Sequence, residues 1–152
     1  MKIYITYFYE IRFLKQHQIP LSTAIWDPKW FHNWKGNSEV FLDKNGVLNG
    51  LRLEELNPGT CHASGCPCDI KNYQECRFLK EYRTGLDKID FPALMKKLKT
   101  IATGWKNTAG FLEEPEIILV VYETPDNPCS ERQPIIDWFE KNGIKVEELT
   151  RQ

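Results

Sequence analysis

Apolar and polar residues alternate at the start of the chain in the way that predicts a β-strand. Lys2 to Phe8 is rich in β-branched and aromatic residues, which strands favour. A short helical turn is expected around Ile11 to Leu14. Pro20 to Trp26 is predicted as a second strand, ending at the turn signal Asp27-Pro28.

The clearest helix is predicted from Phe91 to Trp105, where apolar residues recur at helical spacing. Asp90 suits the N-cap and Pro92 suits the first turn. The run from Glu116 to Glu123 is continuously apolar between its ends, which is typical of a central strand covered on both faces. The last predicted elements are a helix around Ile135 to Phe139, its end at Asn142-Gly143, and a strand from Ile144 to Leu149.

This order of elements predicts an α/β fold with a small, mostly parallel sheet flanked by helices. The chain has 152 residues, about the length of one domain. We therefore expect a single domain over residues 1–152. An irregular, glycine-rich insertion is expected at about residues 31–76, because loops of this length are uncommon in compact domains unless they are functional or stapled.

Charge and hydropathy exclude some classes of protein. The 20 lysines and arginines nearly balance the 21 aspartates and glutamates, so net charge does not favour nucleic acid as a partner, although a local patch stays open. The sequence has no apolar run of about 18 residues, so no membrane span is expected. The apolar stretch at the start of the sequence is too short, and alternates too regularly with polar residues, to be a signal peptide. The expected location is the cytoplasm.

Four of the five cysteines are clustered and predict a metal site. Without a secretory signal, such clusters are more typical of metal ligands than of disulfides. The predicted ligands are Cys61, Cys66, Cys68 and Cys76. Zinc is the favoured metal, with an iron–sulfur cluster less favoured and a site without metal left open. His62 could replace one thiolate, and a site of four thiolates would be structural.

A second candidate site begins where the buried strand ends and runs into the next helix. Ligands of open α/β sheets bind at that edge, and a helix N-terminus favours anions and lowers the pKa of a cysteine. Cys129 could thus be a nucleophile or an anion contact, with Arg132 beside it and Glu123 as acid or base. The alternative is a simple helix cap, since Ser130 and Gln133 match a capping box.

Three stretches of the sequence resemble the domain-of-unknown-function family 488. They are Ile5 to Tyr9, then Pro28-Lys29-Trp30, then Val120 to Glu123 followed by Cys129-Ser130-Glu131-Arg132. Members of that family carry a Pro-Pro-Lys-Trp-like stretch and, near the C-terminus, a Cys-x-Glu and then a Cys-His-Arg signature. Val121 stands where the family often has cysteine, and Ser130 stands where it has histidine.

The resemblance covers the two ends of the chain and implies a shared pocket without specifying a reaction. Glu123, Cys129 and Arg132 match the signature and are its predicted catalytic residues. Residues at the ends of the first two strands would join them as ligand-binding residues, together with Ser130. These are Thr6, Tyr7, Trp26, Asp27, Lys29 and Trp30.

Two functions remain open from the sequence. The first is binding of, or action on, a small anionic ligand, such as a nucleotide, at the edge of the sheet. The second is a metal-stapled interaction module that binds nucleic acid or a protein. The second is motivated by the aromatic residues Trp30, Phe31, Trp34 and Phe41 in the glycine-rich region. The oligomeric state is not indicated by the sequence.

Overall fold

The computed structural model describes residues 1–32, 40–59 and 76–151. The strands in these ranges are β1 (Lys2–Tyr7), β2 (Gln18–Ser22), β3 (Phe41–Leu42), β4 (Leu48–Asn49), β5 (Glu116–Val121) and β6 (Val146–Glu148). The helices are α1 (Arg77–Leu86), α2 (Phe91–Ala109) and α3 (Arg132–Lys141). The main sheet is parallel, with strand order β2-β5-β1-β6, and β3 and β4 form an antiparallel hairpin. This is the predicted α/β fold.

The central position of β5 explains its continuous apolar sequence. Ile117 and Leu119 pack on one face of the sheet, and Ile118 and Val120 pack on the other. All four side chains are fully buried. Because neither face of β5 meets water, the strand has no polar side, as the sequence predicted.

The two faces of the sheet are covered differently. All three helices pack on the face we call the helical face, where Leu98, Trp138 and Phe139 contribute to the core. On the opposite face, the 3-10 segments Phe8–Phe13 and Lys29–Phe31 supply most of the cover. The chain therefore leaves β1 and the neighbouring β5 toward different faces. Their carboxyl ends form the kind of crevice in which α/β proteins bind ligands.

The helix α2 shows why local sequence signals were informative here. The N-cap side chain of Asp90 accepts a hydrogen bond from the backbone N–H of Ala93 at 3.1 Å, as expected. The helix runs past Trp105 and ends before Gly110, whose φ of 77° is left-handed and suits glycine.

The second strand is shorter than the sequence predicted, because it ends at Ser22 and not at Trp26. The backbone N–H of Ala24 donates a hydrogen bond to the Ser22 hydroxyl at 3.2 Å, which turns the chain out of the sheet. Within the predicted irregular insertion, Gly46, with a φ of 77°, follows Asn45 in the turn of the β3–β4 hairpin. In the described part of the chain, no helix is long and apolar enough to cross a membrane.

Candidate functional site

The helices α1 and α3 lie side by side and parallel, so their N-termini meet. Arg83 of α1 pairs with Asp137 of α3 at 2.8 Å, and Asp87 at the end of α1 pairs with Lys141 at the end of α3 at 3.0 Å. Both pairs join residues 54 positions apart, which fixes a parallel register. The N-terminal dipoles of two helices therefore reinforce each other at the carboxyl edge of the sheet.

A cleft of about 560 Å³ opens between these two helix N-termini. Its floor and walls come from the starts of both helices and from the loop after β5, residues 125–128. Among the described residues, three cations line it, Lys80, Arg83 and Arg132, against one carboxylate, that of Asp126. Lys80 is exposed and forms no ion pair with any residue in the described ranges. The lining thus favours a negatively charged occupant.

Arg132 is the most constrained of the three cations because it is buried at the start of α3. Its Nε donates to the Glu148 carboxylate at 2.7 Å, and its Nη1 donates to the Glu123 carbonyl at 2.9 Å. Its Nη2 is buried and has no hydrogen-bond partner in the described residues. Arg132 therefore ties α3 to β6 and to the end of β5, and it keeps one unused donor.

The buried carboxyl group of Glu131 lies against the partly exposed carboxyl group of Glu123. The Glu131 side chain is 4% exposed, hydrogen-bonds with the Glu123 carboxylate, and accepts a hydrogen bond from the Thr23 hydroxyl at 3.4 Å. Burial, and then the negative charge of Glu123, raise the pKa of Glu131 from 4.5 to about 8. Burial also raises the pKa of Tyr82 on α1, with the charge of Glu131 adding to the shift. At neutral pH Glu131 therefore holds a proton.

Cys129 lies near the start of α3 but before its first turn. The N-cap is Glu131, and the backbone N–H of Cys129 donates to the side chain of Asn127 at 2.9 Å. Ser130 caps through a local turn, because its hydroxyl accepts from the backbone N–H of Arg132 at 3.1 Å. Gln133 donates instead to Asp137 at 2.7 Å, so the pattern that matched a capping box is not used as one.

Asp27 belongs to a separate cluster that follows the end of β2. Its carboxylate is bonded to the Ser22 hydroxyl at 2.5 Å, to His32 Nε2 at 2.6 Å and to Arg52 Nη1 at 2.6 Å. Arg52 also donates to the Ala24 carbonyl. Because these contacts join the last residue of β2 to two later segments, this carboxylate stabilises the turn after β2, and none of its three partners is among the residues that line the cleft.

The remaining predicted ligand residues are spread along the edge. Thr6 is buried on the opposite face, and its hydroxyl has no hydrogen-bond partner in the ranges described. Tyr7 stacks on Tyr9, with ring centroids 6.3 Å apart. Trp26 is 74% exposed, whereas Trp30 is half-exposed and packs edge-on against neighbouring rings. Lys29, also exposed, begins the 3-10 segment before Trp30. The structure thus brings Glu123, Cys129, Ser130 and Arg132 together and leaves the other predicted residues apart from them.

The predicted metal ligands Cys61, Cys66 and Cys68 lie outside the described residues, as does His62. Cys76 is described: it is buried, serves as the N-cap of α1 and lines the cleft. Among the described residues no group of three or more potential ligands could hold a metal ion. Zinc therefore stays a prediction. The structure adds only that the last cysteine of the cluster lies at the same cleft as the start of α3.

Sequence reasoning did not single out several residues of this site. Glu131 precedes a helix in a stretch of mixed charge, where its burial has no local signal. Lys80 reaches the site because α1 packs in parallel register with α3, and Thr23 reaches it because it directly follows β2. Both positions depend on contacts between residues distant in sequence. The one usable signal for Glu131 was its position directly before Arg132, within the stretch that suggested the site.

Comparison with protein-family models, curated proteins and solved structures gave no match. Membership of family 488 therefore stays a prediction from the resemblance. The arguments for function below use the geometry of this chain alone.

Proposed function

We propose that this protein binds, or acts on, a small anionic ligand in the cleft between the N-termini of α1 and α3. The observation that carries this proposal is the lining of the cleft: among the described residues, three cationic side chains and one carboxylate line it where two helix dipoles point the same way. Arg83 and Arg132 are each paired with a carboxylate, whereas Lys80 forms no ion pair with a described residue. The buried Nη2 of Arg132 adds an unused donor. The expected ligand carries a phosphate or carboxylate group.

A nucleotide is the ligand we favour within this class. Helix N-termini bind phosphate groups through free backbone N–H groups, and a lysine or arginine adds charge. The exposed ring of Tyr122, which directly follows β5, offers a flat surface near the same edge of the sheet. A base could stack on such a ring while its phosphate enters the cleft.

The test is isothermal titration calorimetry, in which the protein is titrated with inorganic phosphate and, separately, with adenosine monophosphate. The Lys80→Ala variant should bind at least five-fold more weakly than the wild type, since an exposed charge contact at a helix N-terminus contributes about 1 kcal/mol. Lys96→Ala is the matched control, because Lys96 is an exposed lysine on α2 and does not line the cleft. Equal affinity in the wild type and the Lys80→Ala variant would exclude this cleft.

The enzymatic form of the proposal assigns the reacting group to Cys129 and the proton to the Glu123–Glu131 pair. Cys129 and Glu131 lie within a few residues of Arg132, and Glu131 holds a proton near neutral pH. If Cys129 is reactive, iodoacetamide should alkylate it faster than it alkylates the other cysteines. Added phosphate should slow the alkylation of Cys129. Peptide mapping by mass spectrometry measures both. If Cys129 is alkylated slowly and phosphate does not protect it, the enzymatic form of the proposal is wrong and only the ligand-binding form remains.

Three further expectations from the sequence belong to the same proposal. They are zinc held by the cysteine cluster, a cytoplasmic location, and membership of family 488. One of the predicted ligands, Cys76, lies at the cleft as the N-cap of α1. A closed site of thiolates would shape the cleft without taking part in chemistry.

A further inference from the structure

The opposite face of the molecule carries a second surface with its own chemistry, formed by the 3-10 segment Phe8–Phe13 and the β3–β4 hairpin. A groove of about 520 Å³ lies between them, and its apolar lining includes Trp30, Phe41 and Leu42. Trp30 is 44% exposed and Leu42 is 53% exposed. Large apolar side chains left in contact with water in one groove are a common mark of a binding surface.

Positive charge borders this groove on two sides. Arg12 and Lys44 both line it, and neither forms an ion pair with any residue in the described ranges. The nearest acid in the lining, Asp43, is turned inward: its carboxylate accepts from the backbone N–H groups of Asn45 and Val47 at 2.8 and 3.0 Å. The groove therefore presents unneutralised cations beside apolar walls.

A row of aromatic rings continues from the groove along the same segment. Tyr9 and Phe13 are each a little under half exposed, and their ring centroids are 5.8 Å apart. The guanidinium of Arg12 lies 4.0 Å from the Tyr9 ring, and that of Arg151 lies 4.0 Å from the Phe13 ring. Arg12 and Arg151 thus each cover a face of one ring, and Arg12 is also among the residues that line the groove.

We propose that this surface binds single-stranded nucleic acid, with a base stacked on Trp30 and phosphates held by Arg12 and Lys44. The argument is charge complementarity combined with stacking. Single strands are bound through aromatic faces beside a positively charged track, and such binding needs no sequence-specific contact. The near-zero net charge of the chain limits the contribution to a local patch of two or so phosphates. This proposal does not depend on the anion cleft at α1 and α3.

The test measures fluorescence anisotropy of a labelled twelve-residue oligothymidylate at low salt. Trp30→Ala should weaken binding by roughly 5- to 100-fold, because stacking on one aromatic ring is lost. Trp26→Ala is the matched control, since Trp26 is more exposed than Trp30 but does not line the groove. Trp30→Phe, which keeps a ring at the site, should restore most of the affinity.

Salt dependence provides the second readout. For single strands, the logarithm of affinity should fall with the logarithm of salt concentration with a slope of about −0.7 per neutralised phosphate, hence about −1.4 for two cations. Arg12→Gln should roughly halve that slope, whereas Lys96→Ala, on α2 and outside both surfaces, should not change it. The proposal is overturned by absence of binding at low salt. An equal loss of affinity in the Trp26→Ala and Trp30→Ala variants, or an unchanged slope in Arg12→Gln, would also overturn it.

Discussion

Replacing Glu131 with glutamine should stabilise the protein at neutral and alkaline pH. A glutamine has nearly the same shape as a protonated glutamate. Its amide can donate to the Glu123 carboxylate, and its carbonyl can accept from the Thr23 hydroxyl. The substitution therefore keeps the hydrogen bonds of this side chain and removes the group that must hold a proton.

The magnitude follows from the position of Glu131. Burial and Glu123 raise its pKa from 4.5 to about 8 in the folded protein. Between those pH values the folded state holds a proton that the unfolded state has lost, so the free energy of unfolding falls as pH rises, at up to about 1.4 kcal/mol per pH unit. The accumulated loss at pH 8 is on the order of 3 to 5 kcal/mol. Below about pH 4.5 both states are protonated, and the effect vanishes.

The assay is urea unfolding of the wild type and Glu131→Gln at pH steps from 4.5 to 8.5. The stability gain of Glu131→Gln should be small at pH 4.5 and should grow steadily to pH 8. Glu140→Gln, on the exposed side of the same helix, is the matched control and should give no such trend. In Glu123→Gln the trend should be weaker but still present, because burial is the larger cause of the shift.

Parallel stability curves for the wild type and Glu131→Gln across this range would refute the reasoning. A glutamine variant that is less stable at pH 8 would also refute it, since that would mean that Glu131 is ionised and stabilising in the folded state.

Three further predictions concern other parts of the structure. Arg132→Ala should lower the free energy of unfolding in urea by about 3 kcal/mol, because the partly buried carboxylate of Glu148 loses its partner. A loss below about 1 kcal/mol would contradict a stabilising role for this ion pair. Asp27→Asn should lower the free energy of unfolding by about 2 to 4 kcal/mol, because the Arg52 guanidinium is left without its partly buried carboxylate. Adding Arg52→Met to Asp27→Asn should recover part of that loss. If the cysteine cluster holds zinc, elemental analysis should find one equivalent in the wild type and much less in Cys76→Ser, and a chelator should lower the melting temperature of the wild type alone.

The fold was predictable from the sequence because its strongest signals are local. The apolar run of β5, the helical spacing of α2 and its cap at Asp90 each depend on residues close in sequence. The end of β2 was misplaced because Ser22 turns the chain through side-chain hydrogen bonds to Asp27 and to the backbone of Ala24. Apolar residues that follow, such as Trp26, extend the strand pattern without joining the sheet.

The site was predictable only in part. The grouping of Cys129, Ser130 and Arg132 follows from their neighbouring positions before a helix. The role of Lys80 depends on the parallel packing of α1 against α3, which brings together residues far apart in sequence, such as Arg83 and Asp137. Whether a carboxyl group such as Glu131 is buried also depends on what packs above it, which no pattern near it reveals.

The central claim is that the N-termini of α1 and α3 form one anion-binding cleft. The most direct measurement is a two-dimensional amide NMR titration of the isotope-labelled protein with inorganic phosphate and with adenosine monophosphate. The account predicts saturable shifts concentrated at the start of both helices, at residues 76–80 and 129–133, with the same dissociation constant at the two segments. Shifts that are absent, that do not saturate, or that occur at only one of the two helix starts would contradict it.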